Sequence, residues 1–282
     1  MNSFSEVQDL LHDVFSRRIV LIVGATRWGT AWVQQLLDSH PNICAKGEGH
    51  FTDILFPKIA GAINEYNEEC DRIGNRLQLA GLPGNAAGQT FEDVDHLMRT
   101  AIGLTLGRWK TDPSVTCIAE KTPEHVLSLG LLGRLLPDAH VIHVVRDGRD
   151  EAVSAWQFNL DISKGQFPRT YPDFNSFADV FAEGWSRAVG TARQFGRQNP
   201  GRYLEVRCED LVSDTNHQAH GIFRSAGVDW DPETMQSCLD RAWDDAPVDI
   251  DPGVWATKFD DEGHRMFQRK TGELLKLLGY IR

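Results

Sequence analysis

No apolar run in this 282-residue chain approaches the roughly 20 residues that a membrane-spanning helix needs. The first stretch, MNSFSEVQDLLHDVFSRR, is acidic and interrupted by charge before Arg17 and Arg18. It lacks the plan of a secretory leader and reads as a short amphipathic helix. Cysteine is sparse: Cys44, Cys70, Cys117, Cys208 and Cys238 include no C-x-x-C pair, and their odd number argues against a disulfide framework. Reduced thiols in a cytoplasmic protein are the expectation. Basic charge is also short, since 29 Lys and Arg against 40 Asp and Glu leave a net −11. That balance disfavours general binding to nucleic acid and insertion into an anionic membrane surface, so any anion must be held by a local cluster.

What the chain does have is a regular alternation of patterns. RRIVLIVG (17–24) is a continuous apolar run ending at a glycine, which suits a central parallel strand. The helix after it carries Val33, Leu36 and Leu37 on one face and stops at SHPN, with Pro41 as breaker. NICA (42–45), SVTCIAEK (114–121), HVIHVVRD (140–147) and RYLEVRCEDL (202–211) read as further strands. Helices are predicted after Pro123, from Gly148, near 174–197, and at about 214–226, 231–242 and 261–278. Strands alternating with helices imply an α/β, P-loop-type three-layer fold with a central parallel sheet flanked by helices. In such sheets the ligand lies beyond the C-terminal strand ends. Residues 1–282 are expected to form a single domain. Its mostly helical, more polar insertion at about 51–110, with the breaker-rich loop GLPGNAAGQT, would shape a substrate pocket.

The first candidate site is the loop between the first strand and its helix. Its spacing, Gly24-x-x-x-x-Gly29, is that of a phosphate-binding loop, yet Thr30 and Ala31 follow where a Walker loop has Lys and Ser/Thr. Free backbone N–H groups and the positive helix end form an anion site there, and the glycines let the main chain come close. Without the lysine and the magnesium-bound hydroxyl, the parts that neutralise a γ-phosphate are missing. Arg27 offers a guanidinium fork instead, with no metal required.

A second cluster is VVRDGRDEAVSAW. Arg146 leaves a strand end and Ser154 lies two helical turns along the following helix, so both converge on one anion if that helix folds over the strand end. The plain alternative is a charged turn with capping. His140 and His143, three apart in a strand, point to opposite faces and do not chelate together.

The Gly-x-x-x-x-Gly-Thr loop, the Lys-Thr-Pro strand end, Arg-Asp-Gly-Arg-Asp with its distant Ser, YLEVRCEDL and a C-terminal LLKLLGY occur in an order that resembles sulfotransferases using 3′-phosphoadenosine 5′-phosphosulfate (PAPS). The resemblance runs from about residue 18 to 280. It implies that Arg27, Gly29 and Thr30 grip the 5′-phosphosulfate, with Trp28 and Ala31 standing where the family's loop carries hydroxyls. Trp32 matches a tryptophan that stacks on adenine, and Arg146 and Ser154 match the ligands of the 3′-phosphate. Trp255 and Lys258 sit near where the C-terminal loop closes over the nucleotide.

The middle of the chain is similar to protein-tyrosine and related bacterial sulfotransferases. There Glu48 matches the base, and Lys121 matches a lysine that contacts the bridging oxygen or the sulfuryl group. His50 is the rival base in the same mouth and His125 a reserve. Sulfuryl transfer needs a base for the acceptor proton and cations where charge grows as the S–O bond breaks. The resemblance assigns the first role to Glu48 and the second to Arg27 and Lys121. It implies transfer from PAPS to a hydroxyl, less readily an amine, of a small-molecule or glycan acceptor, releasing adenosine 3′,5′-bisphosphate. The alternatives are an ATP-dependent P-loop kinase and a non-catalytic nucleotide-binding pseudoenzyme.

Overall fold

Strands β1 (Arg18–Gly24), β2 (Ile43–Lys46), β3 (Cys117–Lys121), β4 (His140–Val145) and β5 (Tyr203–Arg207) are all parallel and lie in the order β2-β3-β1-β4-β5. The computed structural model describes residues 3–24, 29–84, 88–110, 112–244 and 252–281. β1 is central and its apolar run is buried on both faces. Val20 and Ile22 point into one core with Trp32, Val33 and Leu36, while Ile19, Leu21 and Val23 point into the other with Met98, Ile102 and Leu132. A strand covered on both sides needs no polar alternation, which is why its pattern is continuous.

The helices fill two layers around this sheet. α1 (Phe4–Phe15) precedes β1, and α2 (Gly29–Asp38) joins β1 to β2. α3 (Phe56–Leu79) and α4 (Phe91–Trp109) occupy the long segment before β3, and α5 (Leu129–Leu135) lies between β3 and β4. α6 (Gly148–Ile162), α7 (Phe167–Thr170) and α8 (Phe174–Gln198) separate β4 from β5. α9 (Cys208–Ser213), α10 (Thr215–Ala226), α11 (Pro232–Asp244) and α12 (Asp261–Leu277) complete the chain. α2, α10 and α11 cover one face of the sheet, and α4, α5 and α8 cover the other. Among the described residues no helix is long and apolar enough to cross a membrane.

Two local departures from the sequence expectation have physical causes. The helix expected after Pro123 starts as a 3₁₀ turn, Pro123–Ser128, before α5 begins. Pro123, Val126 and Leu129 are all buried, and this three-residue spacing suits a turn that repeats every three residues. In the segment 51–110, α4 buries Val94, Met98, Ile102 and Leu106 in the main core, so half of this insertion is structural packing. Gly103 and Gly107 let α1 lie directly on α4, because an added Cβ would come within 2.4 Å of Leu11 and 2.8 Å of Leu10.

The register decides where chemistry can gather. Ile22 pairs with Lys121, Lys46 with Glu120, Gly24 with Val144 and Val145 with Arg207, so all five strands end at one edge. The chain leaves β1 toward β2 on one side and leaves β4 toward β5 on the other. The crevice between those two departures is the switch point at which open α/β sheets bind ligands.

Candidate functional site

Glu48 lies two residues beyond the end of β2, and Lys121 is the last residue of β3. Because β2 and β3 are neighbours, the two side chains meet: Lys121 Nζ donates to Glu48 Oε1. Glu48 Oε2 lies 3.1 Å from His50 Nε2, and His50 Nδ1 lies 2.7 Å from Asp53 Oδ2. The result is a row, Lys121, Glu48, His50, Asp53, in which basic and acidic side chains alternate, with Glu48 still 37% exposed and open to a proton donor. Burial pushes the Glu48 carboxyl up, but the hydrogen bonds and charges of Lys121 and His50 outweigh it, and the net direction is down. The hydrogen bond to Asp53 raises His50, against a smaller opposing effect of burial, and the charges of Asp53, Glu48 and Glu124 add to the rise.

The turn that presents Glu48 is held from beneath by Glu120 and Thr122, to which the sequence reading gave no role, and by His125. His50 adopts a left-handed backbone, φ 46°, which is uncommon for a residue other than glycine. Glu120 Oε1 accepts the Gly49 N–H at 2.8 Å and also the Thr122 hydroxyl, and Thr122 Oγ1 accepts the His50 N–H at 3.3 Å. Glu120 is 0% exposed, and behind it His125, also 0% exposed, bonds Thr52 Oγ1 through Nδ1 at 2.8 Å and stacks on Phe51. Burial raises Glu120 to about 7, against the hydrogen bonds from Thr122 and Gly49 and the charges of Lys121 and His50. Burial lowers His125 to about 4. His125 is therefore no reserve base: its ring is sealed from solvent and one nitrogen is already engaged. The signal for Glu120 was an acid placed inside the apolar strand Cys117–Lys121.

On the other side of β1, Arg146 follows the last residue of β4 and is only 5% exposed. Its guanidinium makes no hydrogen bond or ion pair with the described residues. Arg149, three positions on, is fully engaged: Nε and Nη2 fork onto Asp147 at 3.0 and 2.6 Å, and its guanidinium lies 4.0 Å from the Trp255 ring centroid. The charge of Arg146 is felt by the Asp150 carboxyl, but its N–H groups are left for an incoming anion to engage. Ser154 sits half-buried in the second turn of α6, as the sequence spacing requires. Glu209 accepts the Asp147 N–H at 3.0 Å and the Tyr280 hydroxyl at 2.8 Å, which makes it a brace for this corner.

Trp255 is fastened to the same corner. Asp150, in the first turn of α6, accepts the N–H groups of Gly253 at 2.8 Å and Trp255 at 2.9 Å. The Trp255 ring is occupied by Arg149 and by His264, whose ring stacks on it at 4.8 Å. Lys258 is exposed and packs over the ring of Phe174, with Nζ 6.0 Å from the centroid. The structure thus ties Trp255 to α6 and sends Lys258 toward Phe174.

The phosphate-type loop opens α2. Gly24, at φ +113°, and Gly29 are both enforced by packing: a Cβ on Gly24 would lie 2.2 Å from the Val144 carbonyl oxygen, and one on Gly29 would lie 2.5 Å from both Cys208 Sγ and Val144 Cγ1. Thr30 is buried and Ala31 half-buried at the head of α2. Arg27 and Trp28 lie outside the described residues. Trp32 corrects the sequence expectation. It is 0% exposed, 5.4 Å from the ring of Trp243, and part of the helix stripe with Val33, Leu36 and Leu37 that faces the sheet, so it has no face to stack on adenine.

Comparison with known proteins adds to this geometry. The model of the Sulfotransferase family matches residues 20–232. Protein-tyrosine sulfotransferase 2 of Gallus gallus is 26% identical over 216 residues, covering 75% of this chain and 52% of that protein. An uncharacterised protein of Aquifex aeolicus is 30% identical over 223 residues, covering 78% of this chain and 27% of its own length. The chain thus spans about half or less of the curated relatives it matches here. Among solved structures, a sulfotransferase from Mycobacterium avium superposes with a TM-score of 0.56 at 16% identity, covering 97% of this chain and 80% of that one. A mouse sulfotransferase complexed with PAP superposes with a TM-score of 0.54 at 14% identity, covering 97% and 94%. At such identities these two similarities speak for the fold.

Proposed function

The chain belongs to the sulfotransferase family, and from that premise we propose that it transfers a sulfuryl group from PAPS to a hydroxyl, less readily an amine, of a small-molecule or glycan acceptor. One observation carries the reading: the buried Arg146, whose guanidinium makes no hydrogen bond or ion pair among the described residues, stands at the end of β4, across β1 from the pair of Lys121 and Glu48 at the end of β3. A co-substrate with two separated anionic ends suits two separated cations. A magnesium triphosphate carries its charge along one chain and would want the Walker lysine, which this sequence replaces with Thr30.

In this reading Arg146 and Ser154 hold the 3′-phosphate, and the head of α2, with Gly29 and Thr30, receives the 5′ end together with Arg27. PAPS supplies the sulfuryl group. The acceptor oxygen bonds to sulfur as the bond from sulfur to the bridging phosphate oxygen breaks. Glu48 takes the acceptor proton, and Lys121 stabilises the electron pair left on the bridging oxygen. Because its pKa is held down, Glu48 is a carboxylate at neutral pH. Its release from Lys121, as that lysine turns to the leaving oxygen, restores its basicity. His50 orients Glu48, and the hydrogen bond to Asp53 favours its protonated form.

We take residues 1–282 as one sulfotransferase domain. The five cysteines stand unpaired, which supports a reducing, cytoplasmic setting. Calorimetric titration with adenosine 3′,5′-bisphosphate and with ATP plus Mg²⁺ tests the reading. Tighter binding of the bisphosphate is expected, and preference for ATP would overturn it.

A further inference from the structure

We propose that the outer half of α3 is a self-association surface, and that its occupant is the same helix of a second copy of this chain, run antiparallel. The proposal does not depend on the chemistry argued above.

The first ground is an apolar stripe that outruns the core. Ile59, Ile63, Tyr66, Cys70, Ile73 and Leu77 follow one another at alternating steps of four and three residues, the spacing of the two core positions of a coiled coil. Ile59 and Ile63 pack against the core of the domain. The other four join no hydrophobic cluster among the described residues: Tyr66 is 48% and Ile73 44% exposed, and Cys70 and Leu77 are half-buried. On the opposite side of the helix Glu65, Glu68, Asp71 and Arg72 are all exposed. Apolar order on one face and charge on the other is the pattern of a helix that lies on something.

The second ground is that only one flank of the stripe is covered. The chain after α3 folds back along it: Asn67 Nδ2 donates to the Gln89 carbonyl at 2.8 Å, and Asn67 Oδ1 accepts the Gln89 N–H at 2.7 Å. Further out, Gly84 lies so close that a Cβ on it would be 2.7 Å from the carbonyl oxygen of Gly74, the buried residue of α3. The other flank, with Ala62, Glu69 and Arg76, is exposed.

Charge on that open flank selects the occupant. When two copies of α3 run antiparallel with Cys70 opposite Ile73 and Tyr66 opposite Leu77, Glu69 of each copy comes opposite Arg76 of the other, so a two-fold axis makes two ion pairs. A parallel pair would set Glu69 and Arg76 against Gly74 and Gly81, which offer neither charge. Glu69 already meets Arg72 of its own helix at 2.8 Å, but both side chains are exposed and such a pair is given up at little cost. The turn Phe51–Leu55, which holds Asp53, runs directly into α3, so the antiparallel pair places the two copies of the row Lys121, Glu48, His50 and Asp53 at opposite ends. Four apolar side chains from each copy make a small interface, and micromolar dimerisation is expected.

Sedimentation of the full chain over a range of concentrations tests this with charge reversals. Glu69→Arg and Arg76→Glu should each weaken the parent dimer about 10-fold, because two attractive pairs become repulsive. The double variant should recover the parent's affinity, and an equimolar mixture of the two single variants should form a heterodimer more tightly than either pairs with itself. Glu68→Arg, which makes the same change of net charge on the outer face, should leave dimerisation unchanged. Circular dichroism and urea denaturation check that each variant folds, and recovery in the double variant cannot come from misfolding. A parent that stays monomeric to sub-millimolar concentration overturns the proposal. So does a dimer indifferent to both single reversals, or one that Glu68→Arg weakens equally.

Discussion

Oε2 of Glu120 and Nε2 of His125 face each other at 3.6 Å, both buried and both without a hydrogen-bond partner among the described residues. The other oxygen of Glu120 holds the Gly49 amide, and the other nitrogen of His125 meets the Thr52 hydroxyl. The pair therefore grips both ends of the turn that follows Glu48, and its protonation is part of how the row Lys121, Glu48, His50 and Asp53 is held.

This pair predicts an unusual dependence of stability on pH. Folded Glu120 keeps its proton to about 7 whereas the unfolded side chain loses it near 4.5, so its contribution is present below 4.5 and lost as pH rises through 7. Folded His125 stays neutral to about 4 whereas the unfolded ring takes a proton near 6.5, so its contribution is present above 6.5 and lost as pH falls through 4. Between those two unfolded values the opposite slopes cancel. Glu120→Gln removes one of them, and unfolding free energy should then climb with pH, relative to the parent, by up to about 1.4 kcal/mol per pH unit. Urea denaturation across that range measures it, and parallel curves for the two proteins would refute the coupling.

Glu48→Gln should lower turnover with PAPS by roughly 10²–10⁴-fold, the usual contribution of a positioned base. Bisphosphate affinity should stay within about twofold, since no nucleotide contact is assigned to Glu48. His50→Gln should cost less, because His50 acts through Glu48 Oε2. A larger loss in His50→Gln would transfer the base role to the histidine.

Lys121→Met should change the shape of the pH profile as well as its height. Lys121 is the main influence pulling Glu48 down against burial, so without it the Glu48 pKa rises and the acidic limb of kcat/KM moves to higher pH. The rate at the plateau should fall by about 10²–10³-fold, as for loss of one oxyanion-stabilising donor. A reduced rate with an unmoved acidic limb would show that Glu48 is not the titrating group.

Arg146→Ala should weaken adenosine 3′,5′-bisphosphate roughly 10–100-fold while barely affecting adenosine 5′-phosphate, as expected for loss of charge-assisted hydrogen bonds to one phosphate. Arg149→Ala should instead lower stability, by about 3–5 kcal/mol if Asp147 is left buried and unpaired. Equal losses for both nucleotides in Arg146→Ala would contradict its assignment to the 3′-phosphate.

The strands and the edge where they end were legible because a buried parallel strand advertises itself as an apolar run, and strand ends fix which residues leave the sheet. Glu48 beside Lys121 follows from that edge once β2 and β3 are neighbours. Trp32 was misread because a motif position outweighed helix periodicity, although Val33, Leu36 and Leu37 already marked the stripe it joins. The roles of Arg146 and Arg149 depend on which guanidinium finds Asp147, and spacing alone does not decide that. Gly24 and Gly29 were read for their approach to an anion, while the crowding by Val144 and Cys208 appears only when β4 and β5 are in place. Glu120 escaped notice because its partners, Gly49 and His125, come from separate segments.

Asp150 holds amides that lie 103 and 105 residues further along the chain. A polypeptide emerging from the ribosome can close its five-stranded sheet once Arg207 is out, but Asp150 has nothing to hold until Gly253 and Trp255 follow. During that interval the head of α6 lacks the two amide contacts that tie it to the C-terminal segment, so the helix that bears Ser154 gains that fastening only late in synthesis. A chain interrupted between those points should resemble the finished protein in its sheet while leaving the start of α6 open to proteolysis.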